Sequence, residues 1–146
     1  MSVTIDTFYR RLDGLKDFIL REIGEIMMRN ASVTEEMQRQ RLSKGKNISD
    51  KIIQKGYSPG YTKTRKRRGL QTNYVDLNFT GEFYQSLDMV PEGDFGKFDI
   101  ISDVEYAPYI FNRYANIMGL NKAQTKELKD IVLKELKPAI RKYLVG

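Results

Sequence analysis

The chain of 146 residues contains no cysteine and no histidine. Without cysteine there is no disulfide, no zinc–thiolate site and no thiol nucleophile, a composition that fits a reducing compartment. Without histidine, the side chain best matched to proton transfer near neutral pH and the commonest transition-metal ligand are both missing. The remaining acids, lysines and tyrosines show no spacing that pairs a nucleophile with a base, and no glycine loop of the phosphate-binding kind is present. No catalytic residue, no metal and no cofactor is therefore expected. Long apolar runs are missing too, and nothing approaches the roughly 18–20 residues of a membrane span. The opening residues, MSVTIDTFYRRLDGL, mix acids and bases instead of placing a basic start before an apolar stretch. No secretory leader is expected, and the chain is expected to stay where it is made.

What is present is enough for one compact core, with 40 % apolar residues and a mean hydropathy of −0.52. The formal charge of +6 is unevenly placed. From Arg41 to Arg68 ten basic residues face Asp50 alone, a net of +9. From Gly69 to Leu120 eight acids face Lys97 and Arg113, a net of −6. Opposite fields on neighbouring stretches are satisfied internally, or they meet across a head-to-tail contact with an identical neighbour, where complementary potentials orient docking. Plain solvation of both stretches explains the same pattern.

Apolar residues from Ile5 through Ile19 to Met27 recur at three- and four-residue steps, which predicts one long helix. Gly14 and Gly24 interrupt it and mark either close packing or tolerated surface positions. Ser32-Val33-Thr34-Glu35 matches a capping box and predicts a shorter helix over about 33–43. Residues 42–57 read as an irregular, mobile connection. Ser58-Pro59 and Gly69 bracket a short helix carrying the basic cluster. Strands are expected at about 84–90 and 97–103, joined by a hairpin loop longer than two residues. An aromatic-rich short helix follows around Phe111, then a break at Gly119. Leu120-Asn121-Lys122-Ala123-Gln124 signals the start of a last amphipathic helix, which Pro138 is expected to kink or divide. The fold class is α+β in a single domain over 1–146. It divides into a helical part at 1–43, a basic connection at 44–69, and a sheet with the C-terminal helix at 70–146.

Two stretches carry a family likeness. One is Val75-Asp76-Leu77-Asn78-Phe79-Thr80-Gly81-Glu82-Phe83-Tyr84-Gln85-Ser86-Leu87, the other Val104-Glu105-Tyr106-Ala107-Pro108-Tyr109. With the hairpin between them, their order resembles the small neck and tail-completion proteins of long-tailed bacteriophages. Tyr57-Ser58-Pro59 and the basic helix add a likeness to proteins of crAss-like phages that infect gut Bacteroidetes. The pattern departs from that family where Leu77-Asn78-Phe79 separates valine-aspartate from threonine-glycine, and where Phe111-Asn112-Arg113-Tyr114 replaces a glutamate-phenylalanine-glycine. The resemblance implies a non-enzymatic virion protein, assembled in the host cytoplasm. It implies a hexameric or dodecameric ring of the neck or tail that meets the portal and other tail proteins, with no membrane contact and at most a weak DNA contact.

The candidate interface residues follow. Tyr61, Arg65, Arg67 and Arg68 are expected on one flank, and Glu82, Asp103 and Glu105 on the other. Phe83, Tyr84, Tyr106, Tyr109, Phe111 and Tyr114 are candidate anchors, because tyrosine and arginine are enriched at energetically important interface positions. Plain core packing accounts for such aromatics equally well. A second reading is nucleic-acid binding, in which residues 62–68 neutralise phosphates while Tyr57, Tyr61 and Tyr74 stack on bases. A third, enzymatic reading places Asp99, Asp103 and Glu105 on one face of an extended strand, where they attract a divalent cation.

Overall fold

The computed structural model describes residues 3–92 and 97–146. Thr4 accepts from the Thr7 amide and starts α1 (Ile5–Asp13). The single long helix expected from the apolar stripe is instead divided at Gly14, and α2 runs over Leu15–Arg29. A Cβ on Gly14 would stand 2.6 Å from the Tyr143 hydroxyl, and the Tyr143 ring stacks on Phe18 at 4.1 Å. The break is therefore a close approach to the C-terminal helix. Gly24 has nothing within 4 Å of its Cβ position and marks no packing.

α3 spans Ala31–Ser43, and the predicted capping box does not form. Asn30 precedes the helix and sends its amide to the Ile26 carbonyl (2.8 Å) and to Glu135 (2.7 Å). Glu35 is diverted from a capping role because it accepts the Met89 amide at 3.1 Å. The connection that follows is irregular, as expected, but it is tied down rather than loose. Asn47 Oδ1 accepts from Ser49 and Lys51, Ile48 donates to the Asn116 carbonyl, and Ile53 donates to Gly45. Gly45 has φ +69 and lies under the Tyr74 ring, so no other residue fits without displacement.

Ser58 caps α4 (Pro59–Arg67) and Pro59 occupies its first turn, as the sequence predicts; Gly69, at φ +69, follows its end. The first strand starts later than expected. Gly81, at φ +86, opens the short helix α5 (Glu82–Gln85), which claims Tyr84 and Gln85 before β1 (Leu87–Pro91) begins. β1 pairs antiparallel with β2 (Phe98–Ser102) in the register Met89↔Ile100. The expected hairpin loop falls partly on 93–96, which lie outside the described residues. α6 (Ala107–Arg113) carries the aromatic stretch, and Gly119 breaks the chain at φ +115. Asn121 and Gln124 complete a reciprocal capping box at the start of α7 (Lys122–Val145). That helix passes Pro138 undivided, contrary to a division there. Pro138 and Lys134, whose carbonyl loses its donor, both lie on the exposed side.

The fold is α+β: N-terminal helices, a two-stranded antiparallel sheet and a C-terminal helix. One core cluster joins Ile26 to Leu128, Val132 and Leu136, each such burial stabilising by ~1.5–3 kcal/mol. The other gathers Leu42, Ile53, Val75, Phe83, Leu87, Ala107, Ile110 and Ile117. Polar side chains of α3 bind the approach to α7. Gln38 donates to the Ile117 carbonyl at 2.6 Å, and Arg41 donates to Gln38, Ile117 and Gly119 at 2.7–2.8 Å. Burial lowers the Arg41 guanidinium to about 10. Among the described residues no helix is long and apolar enough to cross a membrane.

Candidate functional site

Helical spacing sorts the basic cluster. Tyr61, Arg65 and Arg68 fall at i, i+4 and i+7 on one side of α4, while Lys63, Lys66 and Arg67 share the exposed opposite side. Arg65 points inward and is 1 % exposed. Its Nε donates to the Gln71 carbonyl (3.0 Å), Nη1 to the Asn78 carbonyl (3.1 Å), and Nη2 to Asp76 at 3.0 and 3.3 Å. The guanidinium also lies 4.5 Å from the centre of the Tyr57 ring. Asp76 accepts further bonds from Gln71 (2.7 Å) and the Asn78 amide (2.9 Å). A buried charge tolerates that position only when paired and hydrogen-bonded in this way.

Tyr57 closes the same network. Its phenol donates to Asp76 Oδ1 at 2.9 Å and accepts the amides of Asp76 and Leu77. Burial, then the Asp76 charge, pushes this phenol well above its ordinary value, and the same two causes raise Tyr84. Leu77 sits at φ +59, a left-handed conformation rare for a branched residue, and its amide is held by Tyr57. The loop is thus fixed in a shape its own residues do not prefer.

Over this platform lies an open groove of about 470 Å³. Phe83, Ile110 and Tyr114 are its buried floor, and Tyr57, Tyr61 and Phe79 form one wall. Tyr57 meets Tyr61 edge-on at 5.1 Å, and Tyr61 meets Phe79 at 5.7 Å, both separations typical of favourable aromatic pairs. Tyr106 and Tyr109 line it as well, 41 % and 67 % exposed. Besides the phenols the polar groups are few: Ser58, Thr80, Glu82 within 3.4 Å of the Tyr106 hydroxyl, and Arg113 bonded to the Tyr114 hydroxyl at 3.1 Å. Burial and the Glu82 charge raise the Tyr106 phenol. Arg68 covers Phe79 at 4.7 Å and borders the same wall.

Six of the candidate residues, Tyr61, Glu82, Phe83, Tyr106, Tyr109 and Tyr114, therefore converge on one groove. Arg65 lies inside the chain's own core instead of on a flank, and Phe83, a candidate anchor, is likewise buried in the core. Arg67 faces solvent on the far side of α4, and Asp103 and Glu105 are exposed beyond the end of β2. The oppositely charged stretches do not lie on opposite flanks at this place, because Arg65 pairs with Asp76 and Tyr61 shares the groove with Glu82. The strand face imagined for Asp99, Asp103 and Glu105 ends at Ser102, so the three do not share it, and no acidic cluster able to hold a metal occurs among the described residues. Of the rings suggested for base stacking, Tyr57 and Tyr74 are half-buried and packed. Phe79, Thr80 and Arg113 were missed as groove residues, since nothing local in the sequence brings Arg113 to Tyr61. Compared with known proteins, the chain matches no family model, no curated protein and no solved structure.

Proposed function

We propose that this chain is a non-enzymatic structural subunit of a tailed-phage virion, one copy of a hexameric or dodecameric ring in the neck or tail. The observation that carries the reading is the origin of the groove. Tyr57-Ser58, the stretch 75–87 and the stretch 104–109, which hold the family likeness, supply most of its lining. Exposed tyrosines beside a buried apolar floor are the composition of an interface hot spot, where large rigid rings gain contact area at low entropic cost. In this reading a neighbouring subunit or another neck protein, the portal included, seats on Tyr61, Tyr106 and Tyr109.

Light scattering coupled to size-exclusion chromatography, at low and high salt and with portal or tail components added, tests the proposal. A discrete ring-sized oligomer that Tyr109→Ala disperses is expected. The exposed Lys63, Lys66 and Arg67 face supports the second reading, a DNA-binding protein whose affinity falls steeply with salt. A stable monomer that binds random duplex DNA tightly, and ignores phage components, would replace the first reading with the second.

A further inference from the structure

Among the described residues the sheet has one open edge. Antiparallel pairing alternates residues whose main-chain groups face the partner strand with residues whose groups face away. Met89 gives its N–H to Glu35, whereas Glu92 gives its N–H to the Lys97 carbonyl across the hairpin at 2.9 Å. Met89 is thus an outward residue of β1. Through the register Met89↔Ile100, the N–H and C=O of Ile100, and of Ser102 two positions on, point away from β1. On the β1 side that outward edge is met by α3 through Glu35. On the β2 side, among the described residues, the main chain of Ile100 and Ser102 has no partner beyond the strand.

Beside this edge runs an open groove of about 550 Å³. Four consecutive residues, Asp99 to Ser102, line it. Successive strand side chains alternate faces, so a space that touches all four follows the backbone edge and not one face. Its other wall is mostly apolar, with Phe111, Ile117 and Met118 beside Tyr114 and Asn116. The exposed face of the hairpin is acidic, since Asp88 and Asp99 lie there with Ile101.

We infer that the free edge of β2 accepts an extended strand of a partner protein, whose side chains alternate between apolar residues against Phe111 and Met118 and basic residues beside Asp99. The unpaired main-chain groups supply the affinity, and the two faces supply the selection. A second copy of β2 fits less well, because it would gather two Asp88 and two Asp99 carboxylates on one face of the joined sheet. This inference is independent of the ring reading and of the tyrosine groove.

The test uses the full chain and a short labelled peptide of alternating lysine and valine, followed by fluorescence anisotropy and amide hydrogen exchange. Saturable binding that slows exchange at Ile100 and Ser102 is expected. The same peptide methylated on alternate backbone nitrogens should fail, and a glutamate–valine peptide should bind about tenfold more weakly. Ile100→Pro removes an N–H that the hairpin does not use, a substitution edge strands tolerate, and should abolish binding while a thermal melt reports the fold. Asp99→Lys, on the exposed face, should reverse the preference towards the glutamate peptide. The inference is overturned if the lysine peptide does not bind, if the methylated peptide binds as well, or if protection appears elsewhere. It is also overturned if Ile100 becomes protected with rising protein concentration alone, which would make a second copy the occupant.

Discussion

Arg65 and Asp76, eleven residues apart, form a buried ion pair with Nη2 at 3.0 Å from Oδ1, and their side chains are 1 % and 13 % exposed. The pair fixes α4 against the loop that leads into α5, so the Tyr61 and Phe79 wall of the tyrosine groove depends on it. Each partner's remaining polar atoms are occupied by Gln71, Asn78 or Tyr57, which is the condition under which burying two charges is tolerable.

Removing one partner leaves the other buried and uncompensated. Arg65→Met should therefore destabilise the chain by about 3–5 kcal/mol. Combining it with Asp76→Asn should recover part of that loss, because the stranded carboxylate is gone. Urea denaturation of the two single variants and the double variant measures the coupling; additive losses would show that the pair does not act as a unit.

The two glycines of the N-terminal stripe look alike in the sequence, yet Gly24 and Gly45 make the sharper contrast in the structure. Gly24→Ala, in an open helical position, should stabilise by up to about 1 kcal/mol. Gly45→Ala must adopt φ +69 and meet Tyr74 at 2.5 Å, and should destabilise by about 1–3 kcal/mol or more. Thermal melts of both variants decide the matter, and equal shifts of the same sign would refute the placement of Tyr74 over Gly45.

Where a local rule governs, the sequence was legible. Ser58-Pro59 and Asn121-Gln124 cap their helices because capping needs only neighbours within a turn. Where a distant residue competes, the reading failed. Glu35 fits half of a capping box, but the Met89 amide claims it; Tyr84 fits the strand pattern, but Gly81 starts a helical turn that takes it. The likeness-bearing stretches pointed to Tyr61, Glu82, Tyr106 and Tyr109, which do meet. The Arg65–Asp76 pair beneath them was invisible, since it depends on a loop held with Leu77 at positive φ.

The groove tyrosines should separate stability from assembly. Tyr109→Ala removes a largely exposed ring, so its unfolding free energy should change by no more than about 0.5 kcal/mol. Phe83→Ala empties part of the floor and should cost about 3–5 kcal/mol. If the groove is the subunit contact, Tyr109→Ala weakens association by about 2 kcal/mol or more while the fold persists. Denaturation and sedimentation on the same samples read both quantities, and a Tyr109 variant that assembles like the unaltered chain would remove the groove from the contact.

Alkaline pH should loosen the same platform; the sign follows from Tyr57, Tyr84 and Arg41, and the raised Tyr106 phenol acts in the same sense as the two tyrosines. Tyr57 and Tyr84 hold their protons in the folded chain to well above the ordinary phenol value of about 10. Above that pH the unfolded chain releases those protons first and binds fewer than the folded chain. Stability is thus fully present below about pH 10 and falls as pH rises further. Arg41 acts in the opposite sense, because its folded value is lowered to about 10 and the unfolded chain keeps that proton longer. Two tyrosines against one arginine leave a net loss. Tyr84→Phe cancels one tyrosine, so its unfolding free energy should decline less steeply than that of the unaltered chain between about pH 10 and 11.5. Urea titrations across that range give the slopes directly, and parallel slopes would mean that Tyr84 ionises alike in both states and is shifted neither by burial nor by the Asp76 charge.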